Sequence, residues 1–227
     1  MSHRLSLDNL QSIPIFALPN VVLFPRAILP LHIFEERYKA MTADVLAANR
    51  LIAMALLKPG WEKNYYTRPA IDPVVCVGRI VSYERLADGK FNFLLEGLCR
   101  AVVVREVGLQ CYRQAQLRLL EQISAPAPSL ASLRQRMMHL VHHGPLGELP
   151  LARPFRHILR SQMPTADVAD LLAFAFLEDV QLKQSLLGDI DVQRRVERAV
   201  DALELLDPET DDLSLPLSRF PQTPSMN

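Results

Sequence analysis

Three histidines in one predicted helix are the first residues whose spacing could support chemistry. His139, His142 and His143 stand at positions i, i+3 and i+4, a spacing that places imidazoles on one helix face and can hold zinc. The segment lacks the glutamate of the H-E-x-x-H zinc-peptidase motif. Histidines near the C-terminus of a helix are also favoured by the helix dipole. We therefore prefer a structural role for these histidines and predict no metal ligands.

Neither the acidic residues nor the sequence motifs form a catalytic arrangement. Glu35 and Glu36 follow His32, but adjacent helical residues point about 100° apart, so these two carboxylates do not converge. The sequence has no G-x-x-x-x-G-K-[ST] phosphate loop, which argues against ATP hydrolysis of the usual kind. It also shows no serine–lysine protease domain. We predict no catalytic residues, no cofactor and no enzymatic activity.

The cysteines indicate the cellular compartment of the protein, and their spacing does not indicate a reactive or metal-binding site. They are odd in number and widely spaced, at Cys76, Cys99 and Cys111. This spacing excludes a disulfide framework and a C-x-x-C metal clip. Each cysteine lies in a strand-like stretch, where a buried thiol is usually inert. Reduced thiols predict a cytoplasmic protein.

A long predicted loop carries the candidate binding residues. The segment from Lys58 to Asp72 combines turn residues with the chain's single tryptophan and two adjacent tyrosines. Loops of this length are often functional, and aromatic side chains are enriched in binding hot spots. The candidate contact residues are Trp61, Tyr65, Tyr66 and Arg68. Two interpretations stay open, because the rings could pack on the core or face outward and contact a partner.

The overall charge argues against a nucleic-acid partner. The chain has 227 residues, and its 25 lysines and arginines equal its 25 aspartates and glutamates. Nucleic-acid binders usually carry a basic excess, because contacts to phosphates supply much of their affinity. No apolar run approaches the roughly 18 residues of a membrane span. The N-terminus lacks the apolar core of a signal peptide. We predict no membrane association.

The elements that position these residues begin with strands interrupted by prolines. Pro14, Pro19, Pro25 and Pro30 break an apolar run, and proline within strands is confined to edges and kinks. A small, irregular barrel suits this pattern. The alternation of apolar residues predicts more strands, with a hairpin turn at Asp88-Gly89 and a break at Gly97. The predicted strands cover residues 12–18, 27–33, 51–57, 73–85, 91–97, 99–106 and 112–120, and a helix covers 35–49.

The second half of the sequence predicts helices. The segment A-P-A-P-S at 125–129 marks a boundary between the two halves, since β patterning ends there and prolines stiffen the chain. Ser129, Thr165 and either Asp189 or Asp191 are placed at the starts of helices, where such residues act as caps. A further short helix is predicted from Asp179 to Leu187. We predict an α+β protein with a β-barrel domain over 12–124, a helical bundle over 125–207 and loose termini at 1–11 and 208–227.

Three segments resemble the Lon protease N-terminal domain family. The first is P-N-V-V-L-F-P-R-A-I-L-P-L-H-I-F-E-E-R-Y at 19–38, and the second is V-G-R-I-V-S-Y-E-R-L-A-D-G-K-F-N-F-L-L-E-G-L-C-R at 77–100. The helical segment from A-D-V-A-D-L-L-A-F-A-F to D-I-D-V-Q-R-R-V-E-R-A-V-D-A-L continues the resemblance. The family includes stand-alone bacterial proteins, and a related domain occurs in cereblon.

The resemblance implies both a fold and a role. The fold is a pseudobarrel of the pseudouridine-synthase RNA-binding (PUA-like) type, followed by a helical bundle. The implied role is non-catalytic recognition of substrate polypeptides. The expected partners are unfolded or partly folded polypeptides, or a protease or chaperone. The alternative is an RNA-binding PUA-like module, which the zero net charge does not favour.

Overall fold

The computed structural model describes residues 10–65, 67–108 and 111–206. Within these ranges the chain forms six strands and six α-helices, so the predicted α+β class is confirmed. The elements are β1 (Ile13–Leu18), β2 (Ile28–Ile33), α1 (Glu36–Ala47), β3 (Leu51–Leu56), β4 (Val74–Arg85), β5 (Phe91–Val107), β6 (Arg113–Leu119), α2 (Ala127–His142), α3 (Ala152–Arg160), α4 (Thr165–Phe176), α5 (Val180–Gly188) and α6 (Val192–Glu204). Two short 3-10 helices cover Trp61–Asn64 and Pro145–Glu148.

The strands form one mixed sheet that closes into a barrel. Their order is β2-β5-β4-β3-β1-β6, and β6 also pairs with β5. β1 and β3 are parallel, and the other pairs are antiparallel. The long strand β5 makes the closure possible, because its first half pairs with β2 and its second half pairs with β6. β2 therefore lies at an edge of the sheet.

The break predicted at Gly97 bends β5 without ending it. The separate strand predicted over 99–106 is wrong, because β5 runs through Gly97 to Val107. The Gly97 amide donates to the Ala27 carbonyl at 2.8 Å, and its own carbonyl accepts from the Arg26 amide. A Cβ at this position would collide with the Phe24 carbonyl. The glycine thus lets the preceding loop approach the strand closely.

The helix starts confirm some predicted caps and correct others. Asp191 caps α6 as predicted. Asp179, for which no capping role was predicted, accepts hydrogen bonds from two amides of α5. Ser129 is not a cap, since α2 begins earlier, behind Pro126, and the Ser129 hydroxyl donates to the Pro126 carbonyl. Thr165 is the first residue of α4, and Pro164 occupies the capping position. Proline pre-sets the backbone at these two helix starts.

The core crosses the predicted domain boundary. One cluster of buried side chains runs without interruption from the barrel residues Phe24 and Leu95 to Leu172 and Val196 in the helices. A second cluster lies on the opposite face of the sheet, around Ile15 and its neighbours. The division at 124/125 remains a prediction. None of the helices in the described ranges is long and apolar enough to cross a membrane.

A buried charge cluster joins the barrel to the helices. Arg100 of β5 donates two hydrogen bonds of 2.8 Å to Asp170 of α4. Arg195 of α6 donates to the same carboxylate at 3.2 Å and to the Gln122 side chain at 2.7 Å. All three charged side chains are at most 4% exposed. The cluster fixes the position of α4 and α6 against the barrel.

Candidate functional site

The predicted binding loop folds back onto the barrel through Tyr65. Its side chain is only 3% exposed and belongs to the second core cluster. The hydroxyl donates to Glu35 Oε1 at 2.8 Å, and Arg37 donates to the Tyr65 carbonyl at 3.2 Å. The Arg37 guanidinium also lies 4.8 Å from the ring centre. Burial, followed by the bond to Glu35, raises the pKa of this tyrosine above its usual value.

The other candidate residues of the loop have different surroundings. Trp61 is half-buried and meets the Tyr65 ring edge-on at 5.5 Å. Arg68 is exposed and lies 3.6 Å from the Glu106 carboxylate. Tyr66 lies outside the described residues. The structure thus brings Trp61 and Tyr65 together and places Tyr65 in the packing role, while Trp61 and Arg68 keep accessible surface.

An exposed apolar strip crosses three neighbouring strands at the sheet edge. We use this name for Ile28 of β2, Leu94 of β5 and Val81 of β4. Tyr83 of β4 borders the strip without sharing its face, because it is aligned with the core-facing Phe93. Their exposed fractions are 47% for Ile28, 38% for Leu94, 43% for Val81 and 48% for Tyr83. Leu94 is aligned with Pro30 on one side and Ser82 on the other. A shallow groove follows this alignment and also includes Tyr83.

Strand alternation and one bulge produce the strip. Phe93 and Leu95 point into the core, so Leu94 between them must point outward. The pairing of β4 with β5 skips Val81, which is the extra residue of a bulge. The signal was present in the sequence, because Leu94 is an apolar residue on the outward face of an alternating strand. No role was predicted for Leu94 from the sequence.

The rim of the strip is polar and includes acidic side chains, since Glu96 is aligned with Ile28. His32 Nδ1 lies 2.7 Å from Asn92 Oδ1 across β2 and β5. Ser82, Glu84 and Asn92 border the groove. Pro30 has no N–H, so the middle of the β2 edge offers one fewer donor to an added strand. The strip therefore favours contact through side chains.

Among the described residues, the three histidines are not joined by further side chains that could complete a metal site. The His139 and His143 rings are 5.7 Å apart, and His142 Nδ1 lies 3.1 Å from the Met138 carbonyl. His142 Nε2 lies 3.2 Å from the Arg160 guanidinium. Across the described ranges, no three His, Cys, Asp or Glu side chains are grouped so that they could hold a metal ion.

Comparison with known proteins connects this architecture to one family. The model of the ATP-dependent protease La (LON) substrate-binding domain matches residues 12–204. Lon protease of Dictyoglomus thermophilum is 26% identical over 202 residues, which are 84% of this chain and 24% of that protein. Lon protease 2 of Sorangium cellulosum is 27% identical over 189 residues, with 82% and 23% covered. The chain thus spans about a quarter of the length of these relatives.

Solved structures share the fold. The N-terminal domain of Mycobacterium avium complex Lon protease aligns with a TM-score of 0.66 at 16% identity, covering 86% of this chain and 99% of that one. A Lon N-terminal domain protein from Xanthomonas campestris aligns with a TM-score of 0.59 at 23% identity, covering 84% and 98%. The barrel followed by helices is common to all three. Because the family model matches most of its length, this chain belongs to the LON substrate-binding domain family.

Proposed function

We propose that this protein binds unfolded or partly folded polypeptides and acts as a non-catalytic adaptor. The observation that carries the proposal is the exposed apolar strip formed by Ile28, Leu94 and Val81, with Tyr83 bordering its groove. Contiguous apolar surface with a polar rim is typical of protein-interaction sites. The family model, which is named for substrate binding, supports the same role.

The geometry of the strip suits a ligand without a fixed sequence. Its apolar side chains come from three hydrogen-bonded strands, which hold them at fixed spacing. A side-chain groove can accept apolar residues of an extended chain while the rim contacts its polar groups. Because the net charge of the chain is zero, it does not repel either acidic or basic polypeptides overall.

The loop over 58–72 is a second proposed contact region. Trp61 and Arg68 keep accessible surface there, and Tyr65 anchors the loop to α1. A protease or chaperone that receives the bound polypeptide is the proposed partner class. The proposed location is the cytoplasm, which is supported by the three free cysteines.

The test replaces two residues of the strip and measures binding of a permanently unfolded polypeptide. Ile28→Ser with Leu94→Ser should weaken binding by on the order of 2 kcal/mol, as truncation of hot-spot residues does. Stability should change little, because both side chains are exposed. Fluorescence anisotropy of a labelled polypeptide measures the affinity, and thermal unfolding measures the stability.

The matched control is Val104→Ser on the second half of β5. Val104 is 53% exposed and, like Val81, is the extra residue of a bulge, but it lies outside the strip. Its replacement should leave the affinity unchanged. Equal affinity of the strip variant and the unaltered protein would contradict the proposal. Peptidase or ATPase turnover that copurifies with the protein would contradict the non-catalytic role.

A further inference from the structure

We propose that a small cavity between α1, β1, β6 and the loop over 58–72 binds a carboxylate, and that its ligand is the C-terminal carboxylate of a polypeptide. The site is separate from the apolar strip, and the choice of a polypeptide rests on the proposed function. Of the residues that line it, only Arg68 was a candidate contact residue in the sequence, and the family match assigns no such cavity.

Three arginines from three different elements line this cavity. They are Arg37 of α1, Arg68 of the loop and Arg113 of β6. The hydroxyl-bearing residues Tyr38, Thr67 and Tyr112 also line the cavity. Among the described residues that line the cavity there is no carboxylate. Guanidinium groups present planar, paired donors that match a carboxylate. Arg37 and Arg113 use theirs on Glu35 and Glu106, so Arg68 is the arginine with donors to offer a ligand.

The nearby acidic residues leave a positive excess at the wall. Glu106 forms an ion pair with Arg113, whose Nε donates to the carboxylate at 3.1 Å and whose Nη2 also donates to it. Arg113 Nη1 donates to the Pro69 carbonyl. Glu35 forms an ion pair with Arg37 at 3.0 Å. Arg68 approaches Glu106 only at 3.6 Å and is 50% exposed. Three positively charged guanidinium groups thus lie beside two negatively charged carboxylates, so positive charge is in excess at the wall.

A third acidic residue in this area is engaged as well. Asp44 of α1 accepts the Tyr112 hydroxyl at 2.7 Å and does not line the cavity. Burial and this bond raise the pKa of Tyr112 to about 12. The Tyr112 hydroxyl therefore stays protonated at neutral pH, and the tyrosine adds no negative charge to the wall.

The size of the cavity limits the size of the anionic group that can enter it. Its volume is about 50 Å³, which is room for only a few water-sized groups. A single carboxylate group is small enough for this volume. A C-terminal carboxylate needs only the last residue of the chain to enter. Binding along a nucleic-acid backbone would need a basic track, and the net charge of zero provides no excess for one.

The inert, strand-buried role predicted for the cysteines is wrong for Cys111, which is exposed just before β6. Because it also lines the cavity, it provides a direct readout. Cys76 is buried, and burial raises the pKa of Cys99 to about 11, so both should react slowly. The experiment measures the alkylation rate of Cys111 by iodoacetamide, using mass spectrometry on the full chain. The probes are N-acetyl-dialanine with a free carboxylate and the same dipeptide as its C-terminal amide.

We expect the free acid to slow alkylation of Cys111 and the amide to have no effect. Arg68→Gln should raise the half-protecting concentration of the acid about tenfold, because a charge-assisted hydrogen bond is lost. Arg68 is half exposed, so the variant should fold normally. Arg118→Gln on the exposed side of β6 is the matched control and should behave as the unaltered protein.

Three outcomes would overturn the proposal. They are equal protection by acid and amide, no protection by either, or protection by uridine 5′-monophosphate at lower concentrations than by the acid. The last outcome would assign the cavity to phosphates. None of these results depends on the apolar strip, so the proposed polypeptide binding stands or falls separately, by the Ile28 and Leu94 variant.

Discussion

Asp170 holds two arginines inside the protein. Its carboxylate accepts from Arg100 and Arg195, and all three side chains are nearly inaccessible. Removing one partner from a buried ionic cluster leaves charge without compensation. Asp170→Asn should therefore lower the free energy of unfolding by about 3–5 kcal/mol. Urea unfolding followed by circular dichroism measures the loss.

The control for Asp170 is Asp201→Asn. Asp201 pairs with Arg136 at 2.7 Å, but its side chain is 62% exposed. Exposed ion pairs contribute about 0–1 kcal/mol, so this variant should stay near the stability of the unaltered protein. If Asp170→Asn behaves like Asp201→Asn, the buried cluster does not hold the helices to the barrel.

Lys183 predicts a dependence of stability on pH. Burial lowers its pKa to about 8, and its ammonium donates to the Phe174 carbonyl at 3.0 Å. In the unfolded chain a lysine titrates near 10.4, so between about pH 8 and 10 the unfolded state binds more protons. The contribution of Lys183 to stability therefore rises with pH over this window. Below about pH 8 Lys183 is protonated in both the folded and the unfolded state, so the full free-energy cost of burying its charge remains.

Lys183→Met tests this linkage. The variant should gain at most about 3 kcal/mol over the unaltered protein at pH 7, reduced by the lost hydrogen bond, and the difference should shrink towards pH 10. Unfolding in urea at several pH values measures it. Lys63→Met on the exposed loop controls for the replacement of a lysine in general. A difference that stays constant across the window would contradict the prediction.

At the scale of elements, the loop over 58–72 depends on Tyr65. Tyr65→Ala should lower the free energy of unfolding by roughly 3 kcal/mol, because a large buried side chain is removed. Tyr65→Phe should cost about 1 kcal/mol through the lost bond to Glu35. Trp61→Ala should change stability less, since the indole is half-buried. Thermal and urea unfolding of the three variants give these values.

Binding by the same variants separates packing from recognition. If the loop contacts clients, Trp61→Ala should weaken binding of an unfolded polypeptide by on the order of 2 kcal/mol while the protein stays folded. Unchanged affinity in a well-folded Trp61 variant would remove the loop from the proposal and leave the apolar strip. A Tyr65→Ala protein with full stability would show that the ring does not anchor the loop.

At the scale of the whole molecule, the barrel and the helices share one core. Buried side chains from both halves form one cluster, so the intact chain should unfold in a single cooperative transition. A fragment of residues 1–124 should keep a β-rich circular dichroism spectrum, because the ring of strands closes within it. It should unfold at lower urea than the intact chain, since Leu95 and Phe24 lose their helical neighbours.

The fragment experiment also tests the predicted boundary. Short helices need tertiary partners, so the helical segment over 125–207 should be less stable alone than the barrel. An unfolded barrel fragment beside a cooperatively folding helical fragment would show that the helices supply the core of the barrel. Far-UV circular dichroism and urea titration of both fragments decide between these outcomes.

The sequence alone determined the elements and their family. Alternation of apolar residues, prolines and the Asp88-Gly89 turn located the strands, because strand periodicity and turn chemistry are local properties. The α+β class followed from their order. The sequence could not show that β5 continues through Gly97, because that depends on the close approach of the Phe24 loop.

Only the tertiary structure decided which side chains are accessible. Tyr65 and Trp61 looked equivalent in the sequence, but pairing with Glu35 and Arg37 from a distant helix buries Tyr65. The apolar strip and the arginine-lined cavity both join residues from three separate elements. Such surfaces depend on strand order and barrel closure, which are long-range pairings that local patterns do not encode.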